Sequence, residues 1–287
     1  EKLKLDELRK RILESKKYLK TGYKVHCKAH EDECADHCRK FALSDPNDED
    51  FVCSCSHQHV VCTECEDLKR LFIDMRALID EFVSGFYSHD QKDDLLYDLL
   101  EAEKQIFEWK AHTLRSINQE AAKEEIVENL KENSTLIVMD WAMKFLQSKY
   151  RQKQSDWFAK RGLSWHISSV IYKGCDRNIQ VFSYTHIFDT CTQDWYAVTS
   201  IIENLLQTIK EDLQVTKVFL QSDEAGCYHN NYLIAAVRDI GDIVGVEVAG
   251  YHFSEPQNGK DVCDRILCPM KLAIRRYCNE GHDILTV

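Results

Sequence analysis

Thr135–Asp140, TLIVMD, and Val215–Asp223, VTKVFLQSD, are the two stretches on which the fold turns. Each is a short apolar run that ends abruptly in aspartate. Continuous apolar runs of this length read as strands buried on both faces, the pattern of a sheet covered by helices. Further along, WHISSVIY (Trp165–Tyr172) and IQVFSYTHIF (Ile179–Phe188) are two more strand candidates rich in β-branched and aromatic residues, and IVGVEVAGYHF (Ile243–Phe253) is a fifth. Between them, Asp194 to about Leu213 has helical spacing through Trp195, Val198, Ile201, Ile202, Leu205 and Ile209. NNYLIAAVRDIG reads as a short helix, and GKDVCDRILCPMKLAIRRYC as a longer one that Pro269 should kink or divide. The order β-β-β-α-β-α-β-α predicts an α/β sheet with flanking helices.

The region before Ser134 follows a different grammar. Residues 1–20 read as a charged helix, and residues 21–67 are irregular and rich in Cys and His, with the turn signal SDPNDED at Ser44–Asp50. Leu68, Leu71, Phe72, Met75, Leu78, Ile79 and Phe82 recur at helical spacing from Asp67 to about Phe86. After the break SHDQKDD, Leu95, Leu99, Ala102, Ile106, Trp109, Thr113 and Ile117 mark a second helix from about Asp93 to Leu130. The two are expected to form an antiparallel pair. The organisation that follows is a Cys/His zinc-binding region at 1–66, a helical region at 67–133 and an α/β core at 134–287.

With 287 residues, 44% of them hydrophobic and only 3 Pro, the chain is long enough for a sizeable core, which excludes collagen-like and wholly disordered classes. No apolar run approaches the roughly 20 residues of a membrane span. The first residue is Glu1 rather than Met and no signal-peptide pattern follows, so the sequence reads as a piece of a longer protein. The net charge of −11 is uneven: residues 1–140 carry 21 Lys+Arg against 31 Asp+Glu, residues 141–287 carry 16 against 17. That acidity argues against non-specific nucleic-acid binding. Yet Lys144, Lys149, Arg151, Lys153, Lys160 and Arg161 face only Asp156 in the stretch Trp141–Arg161, a local basic stripe of the kind phosphate contacts need. Trp141, Trp157 and Trp165 interleave with it and are candidates to stack on bases, Trp165 fitting the core better.

Asp140 closes the first apolar run, Asp223 closes the fourth, and Asp264 lies inside the helix after the fifth. An aspartate ending a buried strand places a carboxylate at the carboxyl edge of the sheet, where α/β folds bind ligands. Three carboxylates converging there need a cation, because like charges disfavour one another's ionised form. Oxygen-only ligands suit Mg²⁺ or Mn²⁺. Taken singly, each aspartate is equally at home as a turn residue or helix N-cap.

This order of elements with these acids resembles the ribonuclease-H-like catalytic core of DDE/DDD transposases, from about Thr135 onward. GKDVCD at Gly259–Asp264 is similar to the GKGxxD segment that carries the third acid in several eukaryotic transposase-derived families. The resemblance implies a ribonuclease-H-like mixed sheet, Mg²⁺- or Mn²⁺-dependent cleavage and strand transfer of DNA at transposon ends, and a nuclear protein that assembles as a dimer or higher. It gives Asp140, Asp223 and Asp264 the three metal-binding roles. Asp261 stands where the motif has its second Gly, and Asp261 and Glu255 are alternates for the third role. Lys260, beside that acid, joins the basic stripe as a candidate phosphate contact. His252, just before the acid-bearing helix, is a weaker one.

CSCSHQHVVCTEC (Cys53–Cys65) has the spacing C-x-H-x-H-x₂-C-x₂-C after its first cysteine. A CxxC pair at a helix start is half of a tetrahedral zinc site, since both thiolates can turn onto one ion. The expected ligands are Cys55, His59, Cys62 and Cys65, with His57 or Cys53 as substitutes. A second cluster, Cys27, His30, Cys34, His37 and Cys38, offers His37 or Cys38 to the same ion or holds another. A closed four-ligand site is structural, and thiols kept for metal point to a reducing compartment. DHCRKFALSDP leading into this pattern resembles transposon-derived animal proteins that pair such a module with the core above.

Two readings from different classes follow: a metal-dependent transposase or its nuclease core, or a domesticated protein that keeps the fold and binds DNA or protein without cutting. A RING-like ligase would need eight regularly spaced ligands. Nucleophilic-hydrolase and nucleotide-binding readings lack a G-x-S-x-G, P-loop or G-x-G-x-x-G motif.

Overall fold

The computed structural model describes residues 2–28, 34–38, 60–83, 88–158, 160–174, 178–255 and 262–285. The chain divides into two compact units, Glu1–Asn118 and Gln119–Val287.

The first unit is helical. It comprises α1 (Lys2–Lys20), α2 (Gly22–Lys28), a 3₁₀ turn at Ala35–His37, α3 (Thr63–Val83) and most of α4 (His89–Glu128). Leu19, Leu68, Phe72 and Leu99 form its core, with Met75, Ile79 and Ile106 packed against them. Within this unit α3 and α4 run antiparallel, as the expected stripes require: Lys92 pairs with Asp80 and Arg76 with Glu103. These surface pairs fix register more than they stabilise.

The second unit holds the C-terminal turns of α4, then β1 (Ser134–Phe145), a single turn α5 (Gln154–Trp157), β2 (Leu163–Lys173), β3 (Ile179–Phe188), α6 (Trp195–Leu213), β4 (Lys217–Asp223), α7 (Asn231–Val244), β5 (Glu247–Ser254) and α8 (Val262–Asn279). The sheet order is β3-β2-β1-β4-β5. β1–β2 and β2–β3 are antiparallel, β1–β4 and β4–β5 parallel. This is the ribonuclease-H-like arrangement, a mixed sheet with helices on both faces. The amphipathic helices α6 and α7 bury Val198, Ile202, Leu205, Ile209, Leu233 and Val237 on one face against Ile137, Met139, Val218 and Leu220. On the other face α8 and the end of α4 cover Leu136, Val138, Ala142, Trp165 and Ile167. Burial of these side chains, at about 1.5–3 kcal/mol each, is what holds the layers together.

Three element ends differ from expectation. β1 does not stop at Asp140 but continues to Phe145, because β2 pairs with it as far as Phe145↔Leu163. The run at Ile243 opens no strand: Ile243 and Val244 finish α7, whose carbonyls are capped by Gly245 in the left-handed region (φ 77°) before β5 starts at Glu247. Pro269 lies inside α8 without dividing it. The lost backbone bond is outweighed by apolar contacts on both sides of the proline, Cys263 and Leu267 before it, Met270 and Ile274 after it.

His166, on β2, is fully buried with Trp141 edge-on at 4.9 Å and Tyr228 at 6.1 Å between ring centroids. Burial, with His186 nearby, lowers its pKa to about 3. The folded protein therefore holds His166 neutral where the unfolded chain, at an ordinary value of about 6.5, takes up a proton. Stability from this residue is complete above about pH 6.5 and is lost as the pH falls toward 3. Urea unfolding at pH 7.5 and pH 5.0 should show about 2 kcal/mol more acid loss in the wild type than in His166→Gln. Equal losses would contradict the buried neutral imidazole.

Candidate active site and metal centre

The site is built by a mismatch in β1's two partnerships. On one side β2 follows it throughout; on the other β4 pairs only from Ser134↔Lys217 to Val138↔Gln221. Beyond that last pair the two strands part, with Asp140 and Asp223 each two residues further on. Chain order reverses here, from β1-β2-β3 on one side to β4-β5 on the other. Such a topological switch point leaves a crevice at the carboxyl ends of parallel strands.

A cavity of about 720 Å³ occupies the crevice. Asp140, Asp223, Glu255 and Asp264 all line it, together with Glu120, Glu124 and Glu128 from α4. Seven carboxylates thus face Lys123 and Arg265, the cationic side chains of the lining. Side-chain alternation explains why Asp140 is there: it shares its face of β1 with Leu136, Val138 and Ala142, all in the layer beneath α8. Asp223 combines two roles, since its Oδ1 accepts the Ala225 N–H at 3.0 Å and so shapes the turn out of β4. Asp264 lies in the first turn of α8, exposed to the cavity. Its neighbour Cys263 anchors that turn under β1, with Sγ 3.3 Å from the Val138 carbonyl. Glu255, only 6% exposed, follows the Asp223↔Ser254 pair, and its backbone N–H donates to Gln119 Oε1 at 2.7 Å. Both candidates for the third acid, Asp264 and Glu255, therefore line one cavity. Asp261 and Lys260 lie outside the described residues.

The row Glu120, Glu124 and Glu128 was not singled out in the sequence. Its spacing of four was the available signal, because it puts the three carboxylates on one helical face.

The basic stripe lies past the site, on the end of β1 and the segment leading to β2. Lys144 is four residues beyond Asp140, about 13 Å along an extended strand. Lys144, Lys149, Arg151, Lys153 and Arg161 are exposed. Lys160 is half-buried and donates to the Gln147 carbonyl and to Gln152 Oε1, so it braces this segment. Trp165 is 2% exposed in the core, and Trp141 packs edge-on against His166, which leaves neither ring free to stack on a base. His252 packs beside Phe219 on β5 and does not line the cavity.

Of the expected zinc ligands, Cys53, Cys55, His57 and His59 lie outside the described residues. Cys62 and Cys65 are buried at the start of α3. Cys62 joins His37 and His26 in a group whose donor atoms all lie within 4.8 Å of one another. His26, on α2, was not anticipated, although it stands immediately before Cys27 of the second cluster; 36 residues separate it from Cys62. Cys38 is half-buried just after the 3₁₀ turn.

A family profile described as Domain of unknown function (DUF8701) matches residues 119–286, the extent of the second unit. No curated protein matches the chain. Among solved structures, the Mos1 transposase paired-end complex with left transposon end is similar at 13% identity over 70% of this chain, with a TM-score of 0.30. The match spans 63% of that transposase chain. Thermus thermophilus RuvC is similar at 8% identity over 52% of this chain and 98% of its own, with a TM-score of 0.24. The ribonuclease-H-like fold itself rests on strand order and register.

Seven carboxylates against two cations make the crevice self-repelling when no metal is bound. Asp223→Asn keeps the acceptor for the Ala225 N–H and removes one charge. It should raise Tm in EDTA by roughly 1–4 °C, an effect that shrinks with added salt. A fall in Tm would mean that Asp223 serves the turn alone.

Proposed function

The chain belongs to the DUF8701 family through residues 119–286, and we propose that this unit is a nuclease core that cleaves and rejoins DNA phosphodiesters, in the manner of a transposase. The observation that carries this reading is the convergence of Asp140, Asp223 and Asp264 on one crevice at the switch point of the sheet.

The lining fits a hard divalent cation. Its donors are carboxylate oxygens drawn from two strands and a helix, the set that suits Mg²⁺ or Mn²⁺ rather than a softer metal. Asp140, Asp223 and Asp264 would hold such cations, with Glu255 in reserve for the third role. Two such ions supply an activated water or 3′-hydroxyl and stabilise the leaving oxygen of a phosphodiester.

The chain's own residues have separate tasks. Lys123 and Arg265 meet phosphate oxygens inside a crevice that would otherwise repel a polyanion. Lys144, Lys149, Arg151, Lys153 and Arg161 follow the backbone of the duplex outside it, and Lys260 adds a contact near the third acid. The Asp223 turn holds that carboxylate at the mouth of the crevice. Assembly as at least a dimer and work in the nucleus belong to the same reading. Among the described residues no helix is long and apolar enough to cross a membrane.

The test is nicking of supercoiled plasmid DNA by the full chain with Mg²⁺ or Mn²⁺. Activity should need the metal and fall at least 100-fold in Asp140→Ala and in Asp223→Ala, as expected when groups central to catalysis are removed. Replacing Lys144, Lys149 and Arg151 by Gln should weaken DNA binding and flatten its salt dependence by about three charges. DNA binding without metal-dependent nicking would place the chain in the non-cutting class instead.

A further inference from the structure

The first unit carries a cluster that the proposed nuclease chemistry does not use. Four buried or half-buried side chains from three separate segments meet around the Tyr18 hydroxyl at the end of α1. His26 Nδ1 and His37 Nε2 each lie 3.3 Å from it, Cys62 Sγ 3.4 Å and Cys65 Sγ 3.3 Å. His26 comes from α2, His37 from the 3₁₀ turn, and the two cysteines from the start of α3.

Hydrogen bonding alone does not satisfy this arrangement. A phenol has one proton to give and two lone pairs, so it serves three partners and not four. The donor atoms also approach one another closely: Cys62 Sγ is 3.8 Å from His26 Nδ1, and Cys65 Sγ is 3.6 Å from His37 Nε2. Around a tetrahedral zinc, with Zn–S of about 2.3 Å and Zn–N of about 2.0–2.1 Å, sulfur and nitrogen stand roughly 3.6 Å apart. Both contacts are at the length of a tetrahedron edge; the donors of His26, His37 and Cys62 all lie within 4.8 Å of one another, and Cys65 joins them through His37.

The surroundings suit thiolates. Lys110 of α4 is 5% exposed, and its ammonium lies 3.3 Å from Cys65 Sγ and 3.8 Å from an Asp36 carboxylate oxygen. A buried cation beside a sulfur favours the anionic form that binds metal. The cluster's apolar company is small, being Tyr23, Cys34 and Tyr18 with Cys27.

We propose that His26 Nδ1, His37 Nε2, Cys62 Sγ and Cys65 Sγ form a closed structural zinc site. The Tyr18 hydroxyl, which stands among the four donors at 3.3–3.4 Å, turns aside as they close on the ion, and Lys110 with Asp36 balances its outer charge. This ligand set replaces Cys55 and His59 with two histidines from the segments that precede them. With no open position, the ion fastens three segments together and takes no part in catalysis.

The experiment is zinc-edge X-ray absorption and metal analysis on the full chain, purified without added zinc, beside His26→Cys. Cysteine is itself a zinc ligand, so this variant keeps the metal and the fold while changing the donor. Wild-type protein should carry zinc, and His26→Cys should gain one sulfur and lose one nitrogen per chain at the ion. Cys65→His should move the count the opposite way. Zinc-free wild-type protein, or a sulfur count that does not change in His26→Cys, would overturn the assignment.

Discussion

The second unit depends on one constraint: β1 has partners of unequal length. β2 accompanies it to Phe145, whereas the parallel ladder with β4 ends at Val138↔Gln221. β2 keeps β1 paired in one register through Ala142↔Trp165 after β4 has left it, and a bulge follows before Phe145↔Leu163. Asp140 is therefore held on a rigid, still-paired strand at the edge of a gap, instead of on a loose strand end. A carboxylate positioned by backbone hydrogen bonds on its far side is held in place for the cation proposed above.

That geometry carries an electrostatic cost which explains much of the surrounding sequence. Asp140 occupies a position that alternation assigns to the core layer, between Val138 and Ala142. It can be charged there because α8 stops short of covering it: the helix begins at Val262, and its first turn contributes Asp264 and Arg265 to the cavity wall in place of apolar cover. The end of α4 adds a carboxylate row along with Lys123. Such a concentration of like charge repels itself, and the proposed divalent cations would offset it.

Much of this was legible in the sequence, for reasons that differ from place to place. The apolar runs before Asp140 and Asp223 announced buried strands, and their acids announced the carboxyl edge. What they could not announce was that β1 continues past Asp140, since that is decided by pairing with a strand more than 20 residues later. The Ile243 run misled because the end of α7 and the start of β5 are both apolar, and Gly245, the true punctuation, sits between them. In the first unit CxxC before a helix pointed to Cys62 and Cys65. His26 stayed hidden because tertiary packing, not spacing, brings it there. Glu120, Glu124 and Glu128 were passed over because that helix was read from its apolar stripe alone.

Calorimetric titration of Mn²⁺ into the zinc-loaded full chain, with Asp140→Ala in parallel, tests the central claim most directly. A crevice organised around Asp140 predicts binding in the wild type that vanishes in the variant while the zinc content of both stays the same. Mn²⁺ binding of equal strength in both proteins, or none in either with duplex DNA present, would contradict a carboxylate metal site at the parting of β1 and β4.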